Sequence, residues 1–340
     1  MTRGRLRRFL GVAGVLGWLS FAFVTHYAIT TGWQLLTDPL ARHYDWHVYL
    51  SGARDLLDGS LYRVPLSLDG LPMAVTQFNY PPGSALLAVP LAWMDPAFGG
   101  VVWQVLSAGG LAGGAYLTAA VLGARPPWAW AGIALGVYAW HESYRDGIVS
   151  ANNNFIMLAV LAGFCLAYVR RSDGWAGALL AVAIGVKLWP LVLFAPALRE
   201  RRWAVIWVAG VGLAIQIAFA LAWLGVDVLP HLVEALRHDV PSLPGVIWIS
   251  ALRRSVDWWP VWGGAAVAIV LLLLPLRGRA DLGVAILAGL AAIPNLWNHY
   301  WPVALMALAL IGADLAGRWS QEWRIRPDTA GQPEPDSSTR

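Results

Sequence analysis

Long apolar runs dominate the chain, separated by short polar blocks that are rich in arginine. The first run, Phe9–Ile29, contains no Asp, Glu, Lys or Arg and follows four arginines within the first eight residues. About 20 such residues cross a bilayer as an α-helix. A cleavable signal peptide would have a shorter apolar core. The run is therefore predicted to span the membrane, starting in the cytoplasm and ending at the outer face.

Other apolar runs predict further spans: Gly99–Leu122, Pro126–Trp140, Ile148–Val169, Trp203–Gly225, Trp259–Leu276, Leu282–Pro294 and Tyr300–Gly317. One stretch, Gly174–Leu198, lies between two arginine blocks, Arg170–Arg171 and Arg199–Arg202. Both blocks favour the cytoplasm, so a single crossing would leave one of them outside. We therefore predict a helical hairpin that turns near Lys187–Pro190. Broken helices are tolerated at membrane depth where protein surrounds them.

These runs predict an all-α polytopic membrane protein, with about ten crossings and both termini in the cytoplasm. Residues 1–325 form a single transmembrane domain in this prediction, and residues 326–340 form a disordered cytoplasmic tail. The first outer loop, residues 31–98, contains two helices that are too short to span. One is amphipathic, covers Trp46–Leu57 and is stopped by Gly59; the other covers Gly83–Met94.

The composition agrees with a membrane protein. Hydrophobic residues make up 58% of the 340 positions and charged residues 13%, against roughly 25% charged residues in soluble domains. The single Cys165 excludes a disulfide framework and a thiolate metal cluster. The net charge of +4 comes from arginine blocks that set the topology. Membrane lipids are therefore predicted partners, and nucleic acid is not.

Most polar side chains gather at the predicted outer face. They are Asp45, His47, Asp55 and Asp58 in the first loop, then His141, Glu142, Arg145, Asp146, Asn152–Asn154, Lys187, His231, Glu234, His238 and Asn295–Tyr300. Loops are commonly polar, which accounts for the group around His231. Apolar helix surrounds Lys187 and Asn152–Asn154, however, and polar groups at membrane depth are expensive, so these residues suggest a functional site.

Asp45 allows two interpretations. It stands where the N-cap residue of the amphipathic helix is expected, and capping alone would account for it. A carboxylate beside Trp46, where the loop rejoins the bilayer, could also act as a general base.

Three stretches of the first loop carry a family resemblance: Asp45–Tyr49, Gly59–Tyr62 and the Phe-Asn-Tyr-Pro-Pro run at 78–82. Together they resemble the opening of the polyprenol-phosphate-mannose-dependent mannosyltransferases. These multi-spanning enzymes of the GT-C superfamily form glycosyltransferase family 87. The prolines that follow Tyr80 also make the chain rigid, which is a structural explanation for them.

Three later stretches are similar to motifs of the same family. Asn152–Phe155 resembles Gly-Gln-x-Asn, Gly185–Pro190 resembles a Lys-x-x-Pro hairpin, and Asn295–Tyr300 resembles a Ser-Trp-x-His-His turn. Asn153 replaces the usual Gln and Tyr300 replaces the second His. Asn154 and His299 are therefore the direct matches.

The resemblance implies a GT-C-like helical bundle that transfers a sugar, mannose by family precedent, from a polyprenyl-phosphate donor to a hydroxyl of an outer-face glycolipid or glycan, with inversion. Asp45 is then the general base, and Lys187, or Arg145 as second choice, stabilises the leaving phosphate. The other candidate substrate-binding residues are Asn154, His299, Tyr80, His47 and Tyr49. Two alternatives remain: Lys187 could snorkel to the headgroups, and the Asn and His groups could serve helix packing.

No cofactor or metal ion is predicted, because the lipid-linked sugar is a co-substrate and no Asp-x-Asp motif is present. The predicted location is the plasma (inner) membrane, with the active site on its outer face. Two rival functions share the hydrophobic bundle. A transporter or flippase of lipid-linked sugars would show charge along several spans, and a non-catalytic envelope assembly protein would tolerate the loss of Asp45.

Overall fold

The structure is a computed structural model that describes residues 3–37, 44–63, 78, 80–237, 269–270, 273–274, 276–291 and 300–325. Within these ranges the protein is helical and contains no strand, which confirms the all-α class. The helices are α1 (Arg3–Thr37), α2 (Tyr44–Leu57), α3 (Pro82–Ala88), α4 (Pro96–Val121), α5 (Pro127–Tyr138), α6 (Glu142–Val149), α7 (Asn154–Val169), α8 (Asp173–Val186), α9 (Phe194–Arg199), α10 (Trp203–Leu224), α11 (Val228–Arg237), α12 (Gly278–Ala291) and α13 (Trp301–Ile325). Short 3₁₀ turns cover Val89–Leu91 and Trp189–Leu193.

The number of membrane spans differs from the sequence-based expectation. Two stretches are long and apolar enough to cross a membrane alone: residues 4–31 of α1, and α10. Two bent helix pairs would raise the number to four: α3 and its 3₁₀ turn with α4, bent by 115°, and α6 with α7, bent by 107°. The described residues thus give two to four candidate spans, and the larger count of about ten stays a prediction.

Several predictions lie outside the described residues. They include most of the Trp259–Leu276 span, the end of the Leu282–Pro294 span and the 326–340 tail. The predicted Ile148–Val169 span is wrong as a single helix, because α6 and α7 are separate and strongly bent.

The surfaces of α1 and α10 are unusually apolar. Large side chains such as Phe9, Phe23, Trp207 and Ile215 are more than half exposed. A water-soluble protein rarely presents such a continuous apolar face. In contact with hydrocarbon, these apolar faces avoid the free-energy cost of exposure to water, as expected of membrane-spanning helices.

The centre of the bundle is α7, which packs against α4, α8, α12 and α13. Its side chains Phe155, Leu161 and Phe164 are fully buried. Small residues on α4 let the two helices approach closely: a Cβ on Gly110 would lie 2.8 Å from the backbone of Phe155 and Ile156. Close approach through small residues is a common way of joining helices where lipid removes the hydrophobic driving force.

The amphipathic helix of the first loop is confirmed as α2. Leu50, Ala53 and Leu56 lie on its buried face, as the periodicity predicted. The helix ends at Leu57, and Gly59 follows with φ +71°, a conformation that glycine adopts without a steric penalty. Ser60 N–H donates to the Asp55 carbonyl at 2.8 Å, as in a Schellman motif.

The hairpin between the two arginine blocks is also confirmed. α8 ends at Val186, Lys187 is extended, and the chain returns through a 3₁₀ turn and α9. Arg202, just after α9, forms an ion pair with Asp173 at the start of α8, and Arg171 forms one with Glu200 at 3.3 Å. The two blocks therefore meet at one end of the molecule, where carboxylates join them.

The start of α3 docks against the end of α8. Ser84 Oγ donates to the Val186 carbonyl at 2.6 Å. A Cβ on the neighbouring Gly83 would lie 2.7 Å from the carbonyl carbon of Gly185, which is closer than real Cβ atoms come. Backbone cannot yield as a side chain can, so this contact requires glycine.

We predict that Gly83→Ala will lower the thermal stability of the purified protein, because overpacking of this kind typically costs about 1–3 kcal/mol. Gly109→Ala is the matched control, since a Cβ on Gly109 in α4 meets no atom within 4 Å. The measurement is thermal unfolding in detergent. Equal melting temperatures for the two variants would contradict the close α3–α8 contact.

Candidate active site

Four residues from three distant stretches of the sequence form one chain of hydrogen bonds. Asn152 Nδ2 donates to Asp45 Oδ2 at 2.6 Å, and Asn152 Oδ1 accepts from the Asn154 backbone N–H at 2.9 Å. Lys187 Nζ then donates to Asn154 Oδ1 at 2.5 Å. The start of α2, the bend before α7 and the break after α8 therefore meet at a single polar site.

The Lys187 ammonium is enclosed by protein, and the side chain is only 5% exposed. Besides Asn154, Nζ donates to Tyr300 Oη at 3.2 Å. It also lies 4.8 Å from the centre of the Tyr300 ring and 5.6 Å from that of the Tyr80 ring, within cation–π range. These contacts hold the charge inside the protein, whereas a snorkelling lysine would extend to the headgroups.

Aromatic side chains form a wall beside these charges. The Tyr49 ring centre lies 5.4 Å from that of Tyr80 and 5.5 Å from that of Trp103. Trp103 Nε1 donates to the Ala151 carbonyl at 2.7 Å, and Tyr62 Oη donates to the Tyr80 carbonyl at 2.5 Å. The wall thus fixes the backbone on both sides of the polar site.

The bend between α6 and α7 is closed by hydrogen bonds of Asn152. Asn152 N–H donates to the Gly147 carbonyl at 3.1 Å, which closes the end of α6. The Asn152 side chain then satisfies the free N–H at the start of α7. Asparagine favours such bends, because its amide competes with the backbone for hydrogen bonds. The bend orients the amides of Asn152 and Asn154 towards Asp45 and Lys187.

Asp45 is partly buried, and burial raises its pKa to about 6. The hydrogen bond from Asn152 and the positive charge of Lys187 lower this pKa, while the negative charge of Asp146 raises it. α2 is too short to span a bilayer and is not among the candidate membrane spans of the described residues. The carboxylate is thus ionised at neutral pH and has a pKa suited to accepting a proton.

Four of the predicted site residues come together: Asp45, Asn154, Lys187 and Tyr80. Asp45 lies in the first turn of α2, which begins at Tyr44, so the predicted N-cap position is off by at least two residues.

Three further candidates lie around this group. Tyr49 belongs to the aromatic wall, and His47 is partly buried on α2. Arg145 is exposed on α6 and takes no part in the hydrogen-bond chain.

His299 lies outside the described residues.

Two residues of the site have no role of their own in the sequence analysis. Asn152 belongs to the asparagine run that suggests a functional site, and Tyr300 stands only as a departure from a family motif. The signal for Tyr300 was its position, since it stands where the family has a second histidine and its hydroxyl reaches Lys187. Within the described part of the chain, no group of three His, Cys, Asp or Glu could hold a metal ion. Asp45 and Lys187 are the charged groups at the centre of the site.

A partly buried carboxylate and an enclosed ammonium, joined on a bundle of apolar helices, fit a membrane enzyme that needs a proton acceptor and an anion site. The sequence profile of glycosyltransferase family 87 matches residues 78–317, more than half of the chain. The protein belongs to this family, as the sequence motifs predicted, and is a multi-pass membrane glycosyltransferase.

Named relatives agree with this family. The chain is 30% identical over 300 residues to a polyprenol-phosphate-mannose-dependent α-(1-2)-phosphatidylinositol pentamannoside mannosyltransferase of Mycolicibacterium smegmatis, covering 79% of this chain and 69% of the relative. A second protein of that organism, a polyprenol-phosphate-mannose-dependent α-(1-2)-phosphatidylinositol mannoside mannosyltransferase, is 26% identical, with 97% and 83% covered. An α-(1->3)-arabinofuranosyltransferase of Corynebacterium glutamicum is 24% identical, with 69% and 60% covered. A comparison with solved structures gave no match.

Proposed function

We propose that this protein transfers mannose from a polyprenyl-phosphate carrier to a hydroxyl of a glycolipid or glycan at the outer face of the plasma membrane, inverting the anomeric centre. The observation that carries this proposal is the hydrogen-bond chain that holds the Asp45 carboxylate and the Lys187 ammonium in one site. The names of the mannosyltransferase relatives supply the donor and a phosphatidylinositol mannoside as acceptor class. One relative transfers arabinofuranose, so the assay below tests the sugar directly.

Asp45 is the general base of this reaction. The acceptor oxygen attacks the anomeric carbon and forms the new glycosidic bond, while its proton passes to the Asp45 carboxylate. The bond between the anomeric carbon and the phosphate oxygen breaks, and its electron pair stays with the polyprenyl phosphate. A single carboxylate is enough for this displacement, unlike the pair that glycoside hydrolases require.

Lys187 stabilises the phosphate as it gains charge. A fixed ammonium in a site that excludes water interacts with an anion more strongly than one in bulk solvent. Tyr300 and Asn154 hold Nζ in place before the substrate arrives. Little reorganisation is then needed during the reaction.

The outer-face location is supported by the length of α8. The arginine blocks meet at Asp173, at the start of this helix, and Lys187 follows its end. Fourteen helical residues separate the two ends by roughly 21 Å. If the arginine-rich end is cytoplasmic, as the positive-inside rule favours, the site lies towards the outer face.

We predict that Asp45→Asn will reduce sugar transfer by about 10²–10⁴-fold, the range typical of general-base removal, while donor binding persists. Asn keeps the size of Asp and an oxygen that can accept from Asn152. The assay supplies radiolabelled polyprenyl-phosphate-mannose and a panel of glycolipid acceptors to the detergent-purified protein. Asp58→Asn is the matched control, since Asp58 is exposed just after the same helix.

Two outcomes would contradict the proposal. Transfer by Asp45→Asn at the wild-type rate would remove Asp45 as the base and favour an assembly role. Donor binding by the wild type without transfer to any acceptor would favour a transporter of lipid-linked sugars.

We predict that transfer will decline as the pH falls through about 6, the pKa to which burial raises Asp45. Only the deprotonated carboxylate accepts a proton, so the rate should drop about tenfold per unit below that pKa. The measurement is kcat/KM between pH 4.5 and 8, with thermal unfolding recorded at each pH as a control for stability. A flat profile over this range would contradict the assignment.

We predict that Lys187→Met will weaken donor binding and reduce transfer by about 10²-fold or more, as removal of a preorganised charge does in other enzymes. Arg145→Met, the exposed second choice, should change both by less than about threefold, since exposed charges contribute little. Equilibrium binding of the labelled donor separates the two residues. A large loss in Arg145→Met, with little change in Lys187→Met, would assign the phosphate to Arg145.

A further inference from the structure

We infer that Asn152 is a positioning residue: its amide fixes the Asp45 carboxylate through Oδ2 and ties the base to Asn154, the first residue of α7, which also binds Lys187. This inference rests on the proposed role of Asp45. It adds a residue that neither the sequence motifs nor the site assignments above had given a function.

The orientation of the Asn152 amide is fixed by its partners. Oδ1 accepts from the Asn154 backbone N–H, a group that can only donate. The amide oxygen must therefore face α7, and Nδ2 must face Asp45. Because Nδ2 can only donate, Asp45 Oδ2 can only accept, which favours the ionised carboxylate. Asn152 is 2% exposed, so water does not compete for these bonds.

This hydrogen bond opposes the effect of burial on Asp45. The Ser150 side chain also lowers the pKa of this carboxyl through a hydrogen bond. The ionisable groups that act on the carboxylate are Lys187, Asp146, Tyr49, Tyr80 and Tyr300. The tyrosines carry no charge near neutral pH. Lys187 and Asp146 act in opposite directions. A charge-assisted hydrogen bond is directional and short, so Asn152 also sets where the carboxylate points.

The same amide connects the two charged ends of the site. Asn154 offers its backbone N–H to Asn152 and its side-chain oxygen to Lys187. The Asp45 carboxylate and the Lys187 ammonium are thus both positioned through Asn154, the first residue of α7, the central helix of the bundle. A shift of Asn152 would move the base relative to the ammonium.

The test compares Asn152→Ala, Asn152→Asp and Asn153→Ala in the full-length protein, with kcat/KM for labelled donor and acceptor measured against pH. Asn152→Ala removes the hydrogen-bond donor to Asp45. We expect the acid limb, the part of the profile in which kcat/KM falls at low pH, to move up by about one pH unit. Asn152→Asp keeps an oxygen for the Asn154 N–H, so the start of α7 is retained, but it faces Asp45 with a second carboxylate. Its limb should move further, because two adjacent carboxylates compete for one proton.

Asn153→Ala is the matched control. Asn153 is also fully buried, but its Nδ2 donates to Ser84 Oγ at 3.4 Å and the residue forms no hydrogen bond with Asp45. A merely structural role of the asparagine run would lower activity in all three variants without moving the limb. The positioning role moves the limb in the two Asn152 variants and leaves it unchanged in Asn153→Ala.

An infrared band of the Asp45 carboxyl, assigned by its loss in Asp45→Asn, follows the titration in variants whose turnover is too slow to measure. An unshifted titration in both Asn152 variants would overturn the inference. Failure of this inference can be distinguished from failure of the proposed function. If Asp45→Asn is inactive and the pH profiles of the two Asn152 variants are unchanged, only the positioning role is refuted. If Asp45→Asn is active, the role of Asp45 as general base is refuted.

Discussion

The burial of one ammonium group governs much of this structure. Lys187 follows a helix of apolar residues, and an unpaired charge there would be strongly destabilising. Asn154, Tyr300 and Tyr80 enclose it, and these residues come from α7, the start of α13 and the approach to α3. The break after α8 and the bend before α7 are both needed to bring these groups to the charge. Two interruptions of regular helix therefore serve a single buried charge.

The central helix α7 serves two purposes, one along its length and one at its first residue. Its apolar length fills the core, and its first residue receives the hydrogen bonds that place Asp45 and Lys187. A site built on a packed helix is held more rigidly than one built on loops alone. The opposite end of the hairpin is secured by Arg202, which pairs with Asp173, donates to the Tyr168 carbonyl and lies over the Tyr168 ring. The chemistry and the topology signals thus occupy different ends of α8.

The sequence predicted the parts of this arrangement that local patterns encode. The buried face of α2, the stop at Gly59 and the turn at Lys187 follow from periodicity, glycine and charge. The break at Asn152 was not predicted as a helix boundary, because the apolar pattern continues past it and only the capping bonds reveal the bend. Tyr300 could not be paired with Lys187 in advance, since 113 residues separate them and no local signal links the two. The span count rested on run length, and helices such as α5 and α8 are shorter than a bilayer requires.

The ion pair at the arginine-rich end of the hairpin also affects how the chain enters the membrane. Asp173 and Arg202 meet at one end of the α8–α9 unit, an arrangement that lets both arginine blocks stay on one side of the membrane. Insertion of this unit as a pair then carries a single positive charge, that of Lys187, through hydrocarbon. Moving an arginine block across would cost several kcal/mol for each side chain at the bilayer centre. A helical pair that turns back on itself can thus carry a cation across the membrane while its flanking arginines remain on one side.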